Sequence, residues 1–132
     1  MFKTLAMAAA AATVIAGAAS ASDGHRALSG ENLRSAVSGK TIHLHTPIGS
    51  TVPIRYRPNG TMTGRSSASL AALAGEKVTK DRGRWWVRNS QLCQKWQNWS
   101  DGRSYCYKLS VNGSSVYWTR SDGRSGTARL SN

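Results

Sequence analysis

Turn-forming residues recur about every ten positions through the later part of the chain, and the segments between them alternate apolar with polar side chains. Pro58-Asn59-Gly60, Asn89-Ser90, Asn112-Gly113 and Asp122-Gly123 mark the turns, and Asn112-Gly113 is the strongest short hairpin signal. Successive side chains of a strand point to opposite faces, so a two-residue period marks a half-buried strand. In 41–46, Ile42 and Leu44 share one face while His43 and His45 share the other. Val52, Ile54 and Tyr56 alternate with Pro53, Arg55 and Arg57. Further strands are expected at 61–65, 85–88, 91–96, 104–111, 115–120 and 126–130. The pattern predicts a mainly β fold: a small antiparallel meander barrel or sandwich with a short N-terminal helix across one end.

That helix is expected to start after Ser29 as N-cap, with Leu28 and Leu33 at the staple positions. Leu33, Ala36 and Val37 lie on one face, and Gly39 stands where a helix-ending glycine belongs. About two turns of helix are stable only when packed on something. The segment 66–83 is ambiguous, its Ala-rich stretch 68–74 fitting one helical turn or a loop. The repeated Ser-Asp-Gly-Arg at 100–103 and 121–124 reads as two turns using the same chemistry.

The start of the chain has a different character. Lys3, an apolar run to Ala19 and Ala19-Ser20-Ala21 form a secretory signal peptide at 1–21. Its apolar run is too short to span a bilayer, and no later one is longer. A flexible mature N-terminus is expected at 22–28 and a single β-rich domain at 29–132, the protein being exported to the periplasm or secreted. Aliphatic residues are scarce for a domain of this size. Five Trp and four Tyr offset that, each able to bury about 150–250 Å². The two cysteines, Cys93 and Cys106, are expected to form a disulfide, which persists outside the cytoplasm. Closing about 14 residues, it contributes roughly 3 kcal/mol. Directly opposed cysteines require a connection near 98–101 wider than two residues, with Trp99 at its exposed tip.

Eighteen Lys and Arg face six Asp and Glu, a net charge of +12, and twelve of the cations are Arg. Arg favours planar, bidentate recognition of phosphate, sulfate or carboxylate. Basic residues interleave with aromatic ones, and Arg88, Lys95, Trp99, Arg103, Lys108, Trp118 and Arg120 form the candidate ligand-binding set. The same residues also fit a merely solvated basic surface. His43 and His45 lack a third metal ligand nearby, and as a ribonuclease-like acid–base pair they have the residue types without a spacing signal. Most carboxylates sit in turns or helix starts; Glu76 and Asp81 are the only free pair, which disfavours a two-carboxylate glycosidase. No Gly-x-Ser-x-Gly elbow, G-x-G-x-x-G or P-loop motif occurs.

Several motifs together carry a resemblance: Leu28-Ser29-Gly30, Leu33 and Ser38-Gly39-Lys40-Thr41; Tyr56-x-Pro58-Asn59-Gly60-Thr61-Met62-x-Gly64; Gly83-x-Trp85, Leu92-Cys93-x-x-Trp96, Cys106-Tyr107 and Asp122-Gly123. In these the chain resembles an uncharacterised family of small exported alphaproteobacterial proteins of rhizobial type. The resemblance implies a small secreted β-rich domain with one disulfide and supplies no catalytic residue. The Ala-rich stretch 68–74 departs from the pattern.

The expected function is a non-enzymatic secreted or periplasmic binding module for an anionic ligand: a cell-surface polysaccharide, a lipid headgroup or an acidic protein. Alternatives are an inhibitor of a secreted hydrolase using the 98–101 loop, and a His-dependent nuclease. Nucleic acid is a less favoured partner. No cofactor or metal is expected.

Overall fold

The computed structural model describes residues 24–132; the expected signal peptide at 1–21 lies outside the described residues. The elements are β1 (Arg26–Ala27), α1 (Gly30–Val37), β2 (Lys40–His45), β3 (Thr51–Tyr56), β4 (Thr61–Arg65), α2 (Ala68–Leu73), β5 (Lys80–Arg88), β6 (Gln91–Trp96), a 3-10 turn (Trp99–Gly102), β7 (Ser104–Asn112), β8 (Ser115–Arg120) and β9 (Ser125–Ser131). Strands β2 to β9 form an antiparallel barrel in which each strand pairs with its sequence neighbours. Closure comes from β9, which pairs with β8 through Thr127↔Tyr117 and with β2 through Arg129↔His43. β1 adds a short pairing, Arg26↔Val111 and Ala27↔Ser110, beside β7. No described helix is long and apolar enough to cross a membrane.

The expected alternation is met strand by strand. Ile42, Val52, Ile54, Tyr56, Met62, Trp85, Leu92, Trp96, Leu109, Val116 and Ala128 are buried in one core. At one end α1 contributes Leu33 and Val37, both almost fully buried, with Leu28 beside them. The Arg34 guanidinium stands 6.0 Å from the Trp85 ring centroid. Gly39 has φ +78°, and its N–H donates to the Tyr56 carbonyl at 2.8 Å, so the glycine ends α1 and starts β2. The turns 57–60 and 89–90 share this end. Those at 46–50, 66–79, 97–103 and 121–124 meet at the other, because in a meander alternate connections lie at the same rim.

Cys93 and Cys106 are directly opposed and bridged, as their spacing predicted. Four local details go beyond the sequence expectations. Residues 26–28, expected in a flexible lead, are tied down by β1 and by the Leu28 N–H donating to the Leu109 carbonyl. Ser29 caps α1 without a side-chain hydrogen bond; its carbonyl accepts from Leu33 N–H at 3.2 Å. β5 begins at Lys80 because β4 pairs with it from Arg65↔Lys80 onward. The inward positions Asp81 and Gly83 hid that start from an apolar count. The Ala-rich stretch is a helix, α2, capped by Ser67, whose hydroxyl accepts from Leu70 N–H at 3.1 Å.

Two inward glycines make room for indoles. A Cβ on Gly64 would lie 2.7 Å from Trp99 and 2.9 Å from Trp96, and one on Gly126 2.6 Å from Trp118. Gly64→Ala should therefore destabilise the protein by about 1–3 kcal/mol, through overpacking of the two rings. Chemical denaturation compared with wild type checks it: a midpoint drop is expected, and an unchanged midpoint contradicts the packing account.

Candidate functional site

Eight strands enclose an interior that side chains can fill or that can hold one small ligand. Here the filling is incomplete. A cavity of about 360 Å³ lies inside the barrel and opens at the rim opposite α1. Its walls are apolar, built from inward residues such as Ile42, Leu44, Ile54, Leu92, Leu109 and Val116. Leu70, Ala71 and Ala74 of the α2 region, Thr46 and Pro47 of the β2–β3 turn, and Trp99 frame the mouth.

A few polar groups punctuate this wall. Tyr56 Oη donates to Gln94 Oε1 at 2.8 Å, both side chains buried. Burial, aided by Tyr107 nearby, pushes the Tyr56 phenol well above its ordinary pKa, so it stays a neutral donor. Tyr107 meets Trp118 edge to face, with centroids 5.6 Å apart. Burial raises the Tyr107 pKa as well. Trp118 Nε1 is buried and has no hydrogen-bond partner. That edge of the indole lies over Gly126, a residue with no side chain to offer an acceptor. A buried N–H without a partner costs about 1–3 kcal/mol.

Cations stand at the mouth. Arg120 lines the cavity and donates from Nε and an Nη to the two Asp122 oxygens at 2.9 and 2.7 Å. This pairing holds the exposed Asp122 carboxyl down at about 2. The Arg120 guanidinium also lies 4.0 Å from the Tyr105 ring centroid. Arg124 lines the same opening and makes no ion pair among the described residues.

The candidate ligand-binding residues are thus divided. Trp118 and Arg120 come together in the cavity, with Trp99 at its mouth. Arg88, Lys95 and Lys108 are exposed on the outer face of β5, β6 and β7, and Arg103 is exposed before β7. Trp99 is not an exposed loop tip: it is 8% exposed. Its ring packs on Trp96 at 4.7 Å between centroids, and its Nε1 donates to the Val78 carbonyl at 2.9 Å. An apolar ring of that size folds back where an inward glycine leaves it space.

The turn beneath Trp99 explains the two carboxylates that the sequence left free. Asp81 Oδ2 accepts from the N–H groups of Asn98 and Trp99 at 2.8 and 2.7 Å, and Glu76 Oε2 accepts from Ser100 N–H at 2.9 Å. Those bonds hold Ser100 and Asp101 at φ +58° and +54°, where side-chain-bearing residues are uncommon. Lys95 Nζ donates to the Gly102 carbonyl. The second Ser-Asp-Gly-Arg differs: only Gly123 has positive φ, and Asp122 pairs with Arg120. The shared tetrapeptide is folded by two different sets of partners.

The histidines lie on the outer face. His43 Nε2 hydrogen-bonds with Ser131 Oγ at 2.8 Å, and His45 Nδ1 with Thr127 Oγ1 at 2.9 Å. Among the described residues, no three His, Cys, Asp or Glu side chains cluster as metal ligands would. The cavity itself had only a faint sequence signal, the small residues Gly64, Gly126 and Ala128 at inward positions. The chain matches no family model, no curated protein and no solved structure.

Burial disfavours the Asp81 carboxylate, but the N–H groups of Trp99 and Asn98 outweigh it and hold its pKa below the usual carboxylate value. The folded state thus binds that proton less readily than the unfolded chain. The resulting stability is complete above about pH 4 and is lost as pH falls through the folded value. Thermal unfolding followed from neutral pH to about pH 2 should show the wild type losing more stability than Asp81→Asn. Parallel acid profiles would mean that the Asp81 bonds contribute nothing.

Proposed function

We propose that this protein is a non-enzymatic extracytoplasmic binding module whose ligand sits in the barrel. The observation that carries the reading is the apolar cavity of about 360 Å³ with Arg120 and Arg124 among the residues at its mouth. Such a volume falls within the range of small-molecule sites, where apolar walls supply affinity and a few polar groups fix orientation. The ligand is a small amphipathic anion. Its apolar body fills the barrel, and its charge lies near Arg120 and Arg124. The anionic chemistry expected from the charge balance is kept, and its place moves from an outer aromatic surface to the barrel mouth. The extracytoplasmic setting rests on the Cys93–Cys106 disulfide, a bond that oxidising compartments preserve.

Titration of the oxidised protein with anilinonaphthalene sulfonate, displaced by decanoate, tests this reading. Arg120→Gln removes one cation from the mouth while keeping a polar side chain of similar reach. Its melting temperature should stay near that of wild type, and affinity should fall about tenfold. Leu44→Trp narrows the cavity wall and should abolish binding while near-ultraviolet circular dichroism still reports a folded barrel. Unchanged affinity in both variants would overturn the proposal, as would absence of binding to wild type.

A further inference from the structure

A second surface lies on the outer wall, away from the cavity. An open depression of about 570 Å³ crosses β3, β4 and β5. Arg55, Arg65, Lys80 and Arg82 line it, all exposed. Register fixes their layout. Arg55 and Arg82 flank Thr63 from the two neighbouring strands, since Arg55↔Thr63 and Thr63↔Arg82 are directly opposed. Arg65 faces Lys80, and beyond the depression Arg84 faces Lys95. Like charges directly opposite one another on a sheet are destabilising. This wall holds two such pairs, four residues apart along β5.

Neutralising charge is scarce here. The one carboxylate lining the depression, Asp81, is buried and turned to the N–H groups of Asn98 and Trp99, and its single charge leaves the four cations in excess. The two ion pairs among the described residues, Arg34–Glu31 and Arg120–Asp122, involve none of these cations. Along β5, Lys80, Arg82 and Arg84 are spaced about 6.8 Å apart, and adjacent strands add rows about 4.8 Å away. The result is a grid of positive charge that complements a linear polymer bearing a negative charge on each repeat.

We propose that this wall binds a linear acidic polysaccharide. Three features select that polymer. A barrel wall is convex, so a flat bilayer meets few of the cations at once, whereas a flexible polymer can follow the grid. Single-stranded nucleic acid is held by stacking on aromatic platforms. Trp85, Trp96 and Trp99 are buried, and Trp86, half-buried on the outward face of β5 beyond Arg84, does not line the depression, whose lining includes no aromatic residue. The disulfide favours the compartment in which surface glycans are exposed.

The test measures binding of the full oxidised protein to polygalacturonate and to a sulfated dextran, with duplex DNA and phosphatidylglycerol vesicles alongside, at about 0.15 M salt. Arg55→Gln/Arg82→Gln removes two charges from the depression. Arg65→Gln/Lys80→Gln removes two others and relieves a like-charge pair. Lys108→Gln/Arg129→Gln removes two charges from another part of the barrel and controls for net charge. Polysaccharide affinity should fall about tenfold in each of the first two variants and less than about twofold in the control. The two polysaccharides distinguish carboxylate from sulfate as the preferred group. Equal losses in all three variants would reduce the effect to bulk charge and overturn the proposal. So would tighter binding of DNA or vesicles through the same residues, or no polysaccharide binding by wild type. Binding of anilinonaphthalene sulfonate in the same variants reads the cavity separately, so failure on this wall is distinguishable from failure inside the barrel.

Discussion

The pairing of β9 with both β8 and β2 is the interaction on which the rest of the molecule depends. It joins the last strand to the start of the meander and turns a sheet with two open edges into a barrel. An open edge exposes a row of unpaired N–H and C=O groups, which closure satisfies. Closure also creates an inside. Residues that would have faced a second layer face one another instead, and the short helix α1 closes one end with Leu33 and Val37.

How that inside is filled follows from few aliphatic side chains and many large rings. Trp96 and Trp99 occupy the space over Gly64, and Trp118 lies over Gly126. Placing large rings against residues without side chains lets a narrow barrel contain indoles without displacing its strands. It does not fill the interior evenly, and the cavity remains between the Tyr56–Gln94 pair and the rim. The rim is ordered by polar bonds more than by apolar contact. Asp81 and Glu76 receive three successive backbone N–H groups, from Asn98, Trp99 and Ser100, and so hold the turn that places Trp99 over Trp96. A carboxylate pair free of any sequence motif thus has a structural task.

Charge is distributed by the same alternation. Inward positions are nearly all uncharged, so the excess of Arg and Lys is driven outward and to the rims. Arg55, Arg65, Lys80, Arg82, Arg84 and Lys95 fall on one side because they occupy outward positions on four consecutive strands. Arg120 is one exception: its position faces inward, and its side chain reaches the mouth to meet Asp122.

The period-two alternation and the spaced turns determined, by themselves, a meander of antiparallel strands with a short helix ahead of it. The opposed cysteines determined one register, Cys93 against Cys106. These are local properties, settled by side-chain direction and turn geometry between neighbours in sequence. The start of β5 escaped notice because Asp81 and Gly83 carry no apolar signal, and their inward place depends on pairing with β4. Trp99 looked like an exposed tip because nothing local shows that Gly64, on another strand, leaves room for its ring. Of the candidate ligand-binding residues, Trp99, Trp118 and Arg120 meet in one cavity, and Arg55, Arg65 and Lys80 were not singled out. The cavity is assembled across strands distant in sequence, and the charged wall across neighbouring strands whose register sets its layout. Only closure of the barrel and the pairing of its strands decided which side chains share a space, because a volume and a charged grid are properties of several strands at once.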